Sequence, residues 1–202
     1  GSTISYLYQD SNGLGKLNVQ FSDENFAHLT GISPKGVEMK QVVYDFAKGV
    51  GDYGNIQVSH AIKDKSMVLP LLPDILSSQS FVFNDLSQAI KTDDEDLLLA
   101  IRDVDGIGMP ASVMRMKTKL SEILQGREKV ILAIYRNRDG KIDQLSINEE
   151  YVKDGGKRFE EILKNGEFER YQEETYKDEV AQIHSKIDSD GDGISDEEEL
   201  KQ

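Results

Sequence analysis

The sequence predicts an α+β fold with helices packed on an antiparallel sheet, and two hairpins and one helix carry that prediction. Residues 3–8 and 16–21 alternate between apolar and polar side chains across a stretch rich in Gly, Ser and Asn, which is typical of a β-hairpin. Residues 129–135 and 142–147 predict a second hairpin around an Asn-Arg-Asp-Gly-Lys turn. Residues 37–48 repeat apolar side chains at helical spacing and end at a glycine, which indicates an amphipathic helix.

Shorter patterns fill the rest of the chain. Residues 103–108 begin like a calcium loop but lack its third Asp, so they are interpreted as a turn. The other predicted elements are an extended segment at 56–62, an apolar helical run at 68–76, strands at 79–83 and 97–101, and helices at 157–163 and 168–187. A short helix is the alternative at 97–101. We therefore expect an α+β domain over residues 3–152, a helical extension over 153–187 and a loop over 188–202.

The composition excludes several classes of protein. The 202 residues are 38 % hydrophobic, which is enough for one domain with its own core. The chain contains no cysteine, which excludes disulfides, thiol chemistry and cysteine-ligated zinc. No run is apolar and long enough to span a bilayer, and no secretory signal peptide is recognisable. The net charge of −13 argues against non-specific adhesion to nucleic acid or anionic membranes, although the acidic residues concentrate from Glu160 onward.

Residues 188–199 have the spacing of a calcium-binding loop. Carboxylates stand at loop positions 1, 3, 5, 9 and 12, and Gly193 at position 6 permits the sharp bend. The expected ligands are Asp188, Asp190, Asp192, the carbonyl of Ile194, Asp196 and Glu199. The loop is similar to those of thrombospondin type-3 and dockerin-like repeats, which are mostly extracellular, and that resemblance implies structural Ca²⁺. The alternative is an acidic, disordered tail.

A second stretch of interest is Phe26-Ala-His-Leu-Thr-Gly, followed by Ile32. Its apolar residues, Phe26, Leu29 and Ile32, are expected to point inward, which leaves His28 and Thr30 at the margin of the core. A histidine in this position is either a structural residue with satisfied hydrogen bonds or a general acid or base near neutral pH. The residues alone leave both interpretations open.

The order of these parts resembles the phage-encoded barnase–EndoU–colicin–RelE-like nuclease families over roughly residues 3–151. A hairpin leads to the Phe-x-His-Leu-Thr-Gly motif, then to a helix, then to Lys-x-x-x-Leu-x-x-Leu at residues 65–72, and then to several strands. The resemblance implies a barnase/RelE-like α+β fold and metal-independent cleavage of RNA, often by a toxin. His28, Thr30 and Lys65 match the polar positions of these motifs, whereas the later strands match loosely and the acidic tail lies outside the pattern.

This resemblance gives each candidate residue an expected role. Cleaving RNA without a metal needs a base for the ribose 2′-hydroxyl, an acid for the leaving oxygen and cations for the phosphorane. His28 is the candidate acid or base, and Thr30 is expected to orient the substrate. Lys65, Lys117 and Arg136 are expected to stabilise phosphate charge, with Arg136 at the tip of the second hairpin, although Lys117 belongs to a basic stretch that also suits a solvated face. RNA is the expected substrate, an immunity protein a possible partner, and secretion or delivery as a toxin the favoured route.

Two other functions stay open at this point. One is a non-catalytic, secreted or surface-displayed binding module stabilised by calcium, in which His28 is structural. The other is an acidic immunity or anti-defence protein that mimics nucleic acid. A nuclease differs from both in its geometry, because it must bring His28, Lys65 and a further basic residue to one concave site.

Overall fold

The computed structural model describes residues 2–11, 13–84, 88–93, 97–166 and 168. These residues form ten strands, five α-helices and two 3-10 helices. The strands are β1 (Thr3–Asp10), β2 (Gly13–Gln20), β3 (Ile32–Pro34), β4 (Ile56–Val58), β5 (Phe81–Phe83), β6 (Ala89–Lys91), β7 (Leu97–Val104), β8 (Ile107–Arg115), β9 (Lys129–Arg138) and β10 (Lys141–Ile147). The helices are α1 (Asn25–Thr30), α2 (Met39–Ala47), α3 (Ile62–Val68), α4 (Thr118–Leu124) and α5 (Lys157–Asn165), with 3-10 helices at Tyr53–Asn55 and Leu69–Leu76. The prediction of an α+β fold is confirmed.

Seven strands of the large sheet close into a ring through their hydrogen-bonded pairings. The order around the ring is β1-β2-β8-β7-β6-β5-β9, with β9 pairing back to β1, and β10 extends the sheet from β9. All pairings in this sheet are antiparallel except β2–β8, which is parallel and joins Val19 to Gly108. A Cβ at Gly108 would lie 2.9 Å from the carbonyl oxygen of Asn18, so glycine permits the close approach that closes the ring.

The main core fills the interior of this ring. Every ring strand contributes buried apolar side chains to it, among them Ile4, Leu17, Val82, Ile90, Leu99, Val113 and Ile134. Three segments outside the ring strands add Leu29 from α1, Val68 from α3 and Ile75 from the 3-10 helix. Burying each large aliphatic side chain contributes about 1.5–3 kcal/mol, so these segments are firmly anchored. These three segments pack against the main core, and α1 and α3 lie against β8.

Two smaller clusters cover the outer surface of the sheet. Ile162 of α5 and Phe168 pack with Leu7, Leu14 and Tyr135, while α4 packs over Phe83, Ala89 and Leu98. Because β1 is covered on both faces, five consecutive residues of it are buried instead of alternating. The packed body therefore continues beyond residue 152 through α5.

The predictions for individual elements can now be compared with the structure. Both hairpins are confirmed, as are the strand at residues 97–101, the helix within residues 37–48 and the turn at 103–108. The helical run predicted at 68–76 begins in the last residue of α3 and continues as a 3-10 helix over Leu69–Leu76, because Pro70 and Pro73 lack the N–H groups that an α-helix needs. Apart from Phe168, the predicted helix at 168–187 and the calcium loop lie outside the described residues. None of the described helices is long and apolar enough to cross a membrane.

Candidate active site

The Phe-x-His-Leu-Thr-Gly motif forms α1 and its C-terminal end. Gly31 ends the helix in the left-handed conformation, with φ of 77°, and its N–H donates to the carbonyl of Ala27. The Thr30 hydroxyl donates to the carbonyl of Phe26 at 2.7 Å and accepts from the Ile32 N–H at 3.0 Å. Thr30 thus serves the backbone on both sides of the turn and directs the chain from α1 into β3.

Gly31 also permits the end of α1 to approach the segment that carries Lys65. A Cβ at Gly31 would lie 2.7 Å from the Ser59 hydroxyl and 3.3 Å from Cδ of Lys65. In the same place the Ser59 N–H donates to the carbonyl of Gly31 at 2.8 Å. A residue with a side chain at this position would strain the backbone and displace its neighbours.

Lys65 extends from α3 across this contact and is held at its tip. Its ammonium donates to the backbone carbonyl of His28 and, at 3.0 Å, to the Ser112 hydroxyl on β8. Burial lowers the pKa of Lys65 from its usual value of 10.5. The amine is therefore fixed between α1 and β8, two elements that are distant in the sequence.

His28 contributes its carbonyl to Lys65, while its imidazole is exposed to solvent. Within the described part of the chain the imidazole makes no hydrogen bond or ion pair. An exposed ring differs from a histidine whose hydrogen bonds are satisfied inside a core. His60 is also exposed and follows Ser59, whose N–H meets the end of α1.

The two remaining candidates lie in different places. Lys117 directly precedes α4, and its ammonium lies 3.8 Å from the carboxylate of Asp64 on α3, next in sequence to Lys65. Both partners are exposed, so this ion pair is weak. Arg136 lies within β9, two residues before the end of that strand, and donates to Asp143 of β10 at 3.0 Å. Arg136 was expected at the hairpin tip, but Asp139 and Gly140 form the turn.

The structure thus brings together His28, Thr30 and Lys65, with Lys117 beside the same helix as Lys65. It does not bring Arg136 into this group, because β1 and β2 lie between β9 and β8 in the sheet. Ser112 is a member of the site that the sequence analysis did not identify. It is 47 residues from Lys65 and belongs to no motif, so only the packing of α3 on β8 reveals it.

The distribution of charge suits an anionic ligand better than the total suggests. Residues 160–202 contain fifteen acidic and five basic side chains, so residues 1–159 have a net charge of only −3 out of the total of −13. The α1–α3–β8 site lies in this nearly balanced part. The charged side chains closest to the site, Lys65, Lys117 and Asp64, therefore matter more for its potential than the net charge of the chain, because charges more than about 10 Å apart are largely screened at physiological ionic strength.

Comparison with known protein families identifies a nuclease family that matches most of the chain. The family described as phage-Barnase-EndoU-ColicinE5/D-RelE like nuclease4, or PBECR4, matches residues 1–153. The chain belongs to this family. The match covers the whole α1–α3–β8 site and supports the resemblance seen in the sequence, with a nucleic acid as the class of substrate that the family suggests. No curated protein and no solved structure matches the chain.

The PBECR4 match ends before α5, which nevertheless packs on the sheet. Within the described residues no three His, Asp or Glu side chains gather in a group that could hold a metal ion. The predicted ligands at residues 188–199 lie beyond those residues and beyond the family match.

Proposed function

We propose that this PBECR4 member is the ribonuclease domain of a toxin, with His28 as an acid–base catalyst and Lys65 as the cation that stabilises the reacting phosphate. One observation carries the proposal. The Lys65 ammonium is held on the carbonyl of the same residue whose imidazole is exposed, so a proton-transfer group and a cation share one small site. These are two of the groups that RNA cleavage needs.

The proposed reaction is an intramolecular phosphoryl transfer. A base removes the proton of a ribose 2′-hydroxyl, and the 2′ oxygen bonds to the adjacent phosphorus. The bond from phosphorus to the 5′ oxygen breaks, and an acid protonates that oxygen, which leaves a 2′,3′-cyclic phosphate and a 5′-hydroxyl. His28 performs one of the proton transfers. Lys65 has an N–H beyond the two that His28 and Ser112 receive, and that N–H faces the charge that develops on the phosphorane.

The other candidates take supporting roles in this proposal. Thr30 positions the end of α1, since its hydroxyl already bonds to the backbone at both ends of the turn. Lys117 contacts a phosphate next to the cleaved one, because its pairing with exposed Asp64 is readily exchanged for a phosphate. Arg136 contacts RNA only if the RNA strand extends from the site across β1 and β2 to β9.

The test is cleavage of an RNA oligonucleotide by the wild type and by His28→Ala. A general acid or base contributes about 10²- to 10⁴-fold in rate, so we expect a loss of that size. Lys65 should stay in place, because it bonds to the backbone of residue 28 and not to the imidazole. Circular dichroism of the variant should therefore match the wild type.

Two controls make this test decisive. An oligonucleotide with a single 2′-deoxy sugar at the cleavage point should resist the wild type if the 2′-hydroxyl is the nucleophile. His60→Ala, measured in parallel, separates the two exposed histidines. Normal cleavage by His28→Ala together with inactive His60→Ala would move the role to His60. A folded wild type that cleaves no RNA would end the ribonuclease proposal and leave the calcium-stabilised binding module.

We also propose that residues 188–199 bind one structural Ca²⁺ ion and that an immunity protein neutralises the domain. Support for the ion comes from the spacing of Asp188, Asp190, Asp192, Asp196 and Glu199. The spacing lies outside residues 1–153, so calcium is assigned to stability and not to catalysis. An inhibitor has a clear target, since covering Lys65 and His28 blocks both proposed functions of the site.

A further inference from the structure

Ser112 is the end point of the hydrogen bonds that fix the Lys65 ammonium. Its hydroxyl accepts from Nζ of Lys65 at 3.0 Å and donates to the carbonyl of Val113 at 3.3 Å. The hydroxyl has one hydrogen, so engaging it with Val113 leaves the oxygen lone pairs to face the ammonium. Ser112 is therefore oriented as an acceptor for Lys65.

Counting the ammonium hydrogens shows what this contact achieves. A lysine ammonium has three N–H donors, and the carbonyl of His28 and the hydroxyl of Ser112 receive two of them. Two anchors on different elements, α1 and β8, fix the rotation of the ammonium about its bond to Cε. The direction of the third N–H is then determined. With His28 as the only anchor, the group could rotate and that N–H would sweep a cone.

We propose that Ser112 is a positioning residue of this site, which directs the remaining N–H of Lys65 at the phosphate that is cleaved. The inference rests on the proposed ribonuclease function and adds to it a residue that acts through Lys65 without touching the substrate. Oriented donors stabilise a transition state because no reorganisation is needed when charge develops. Ser112 should therefore affect kcat more than KM.

The experiment compares two variants of nearly equal shape, Ser112→Thr and Ser112→Val, with Ser112→Ala as a smaller alternative should the branched residues disturb β8. Thr keeps the hydroxyl and Val replaces it with a methyl group. Ser5→Ala is the matched control, because Ser5 is also a strand serine whose hydroxyl makes a side-chain hydrogen bond, at 2.8 Å to Asn18 on β2. The two readouts are RNA cleavage kinetics and an NMR titration of the Lys65 side chain.

We expect Ser112→Val and Ser112→Ala to lower kcat about tenfold, the effect of one lost hydrogen bond to a charged group, with KM changed less than about twofold. Losing an acceptor disfavours the charged amine, so the pKa of Lys65 should fall further in both variants. Ser112→Thr and Ser5→Ala should leave both readouts close to the wild type.

Two results would overturn the positioning role. One is an unchanged Lys65 titration in Ser112→Val and Ser112→Ala. The other is equal loss of kcat in Ser112→Thr and Ser112→Val, which would make shape and not the hydroxyl responsible. The titration needs no activity, so it decides the Ser112–Lys65 contact even in a chain that cleaves no RNA. Failure of the ribonuclease proposal is thereby distinguishable from failure of this one.

Discussion

Replacing Lys65 with Met separates the proposed catalytic role of the ammonium from its structural role. Methionine replaces most of the apolar stem of the lysine but removes the charge and the hydrogen bonds to His28 and Ser112. If Lys65 stabilises the developing phosphorane charge, the loss should resemble that of an oxyanion-hole donor, about 10²- to 10³-fold in kcat, or about 2.7–4 kcal/mol in the transition state.

The expected effect of Lys65→Met on the free energy of unfolding is much smaller, because two effects offset the lost hydrogen bonds. Each hydrogen bond from a charged group contributes about 1.5–3 kcal/mol when its partner cannot find water. Here the His28 carbonyl lies in a residue that is exposed, so water can replace the amine there. Burial lowers the pKa of Lys65, which means that the folded chain holds the charged amine less readily than the unfolded chain does. Methionine removes that penalty, so the net change in the free energy of unfolding should stay within about 1 kcal/mol.

The lowered pKa of Lys65 also predicts how its contribution to stability changes with pH. Because the pKa of Lys65 is lower in the folded state, its contribution to stability is unfavourable below the folded pKa and disappears as pH rises past the usual 10.5. The desolvation penalty that Lys65→Met removes should therefore be present at neutral pH and vanish in strong alkali, so the stability of the variant relative to the wild type should fall as pH rises through that range. In the wild type, cleavage should decline on the alkaline side as the amine loses its proton.

The assay pairs cleavage of a fluorogenic RNA with urea denaturation, and Lys63→Met is the matched control. Lys63 is on the same helix and is exposed, so its replacement should change neither activity nor stability by a large amount. A folded Lys65→Met protein that cleaves as fast as the wild type would refute the catalytic role. A loss of stability above about 3 kcal/mol would show instead that Lys65 is mainly an anchor for α1.

Three further predictions concern stability and calcium. Lys129→Met should lower the free energy of unfolding by about 1–3 kcal/mol at pH 7, because the Lys129 ammonium lies 2.6 Å from the carboxylate of Asp10. Burial raises the pKa of Asp10, but hydrogen bonds from Lys129 and the backbone outweigh burial and lower this pKa overall. The difference in stability between Lys129→Met and the wild type should therefore disappear as pH falls below the folded pKa of Asp10, which urea denaturation at several pH values would measure. Asp154→Ala should cost about 1 kcal/mol, measured by thermal unfolding, because its carboxylate accepts the N–H groups of Gly156 and Arg158 at the start of α5, at 2.9 and 3.0 Å. Asp190→Ala should weaken calcium binding in titration calorimetry while RNA cleavage survives chelation, and equal calcium affinity in variant and wild type would remove the loop assignment.

The parts of the fold that the sequence predicted are those governed by local pattern. The first hairpin has strands of alternating apolar and polar side chains, and the second has an Asn-Arg-Asp-Gly-Lys turn in which Asp139 and Gly140 have φ of 51° and 79°. The closing of the ring was not predictable, because it depends on the pairing of β2 with β8 and of β9 with β1 across long separations. No local pattern records which strands become neighbours.

The same distinction divides the site. His28, Thr30 and Lys65 were identified because they belong to two short motifs, whereas Ser112 has no motif and enters through tertiary packing alone. Arg136 shows the opposite error of reasoning from position along the chain. A location near a hairpin turn suggested an available cation, but the strand continues to Arg138 and the cross-strand partner Asp143 binds the guanidinium.

A short motif can specify a site when most of its residues determine the local path of the backbone. Leu29 anchors α1 in the core, Thr30 bonds to the chain on both sides of the turn, and Gly31 permits the contact with Ser59 and the Lys65 stem. These three residues determine where α1 ends, and the end of α1 determines where the His28 carbonyl meets the Lys65 ammonium. Among the described residues, the His28 imidazole makes no hydrogen bond or ion pair and is exposed. Altering Gly31 should therefore displace the Lys65 stem, whereas His28→Ala should leave Lys65 in place, because Lys65 bonds to the backbone carbonyl of residue 28.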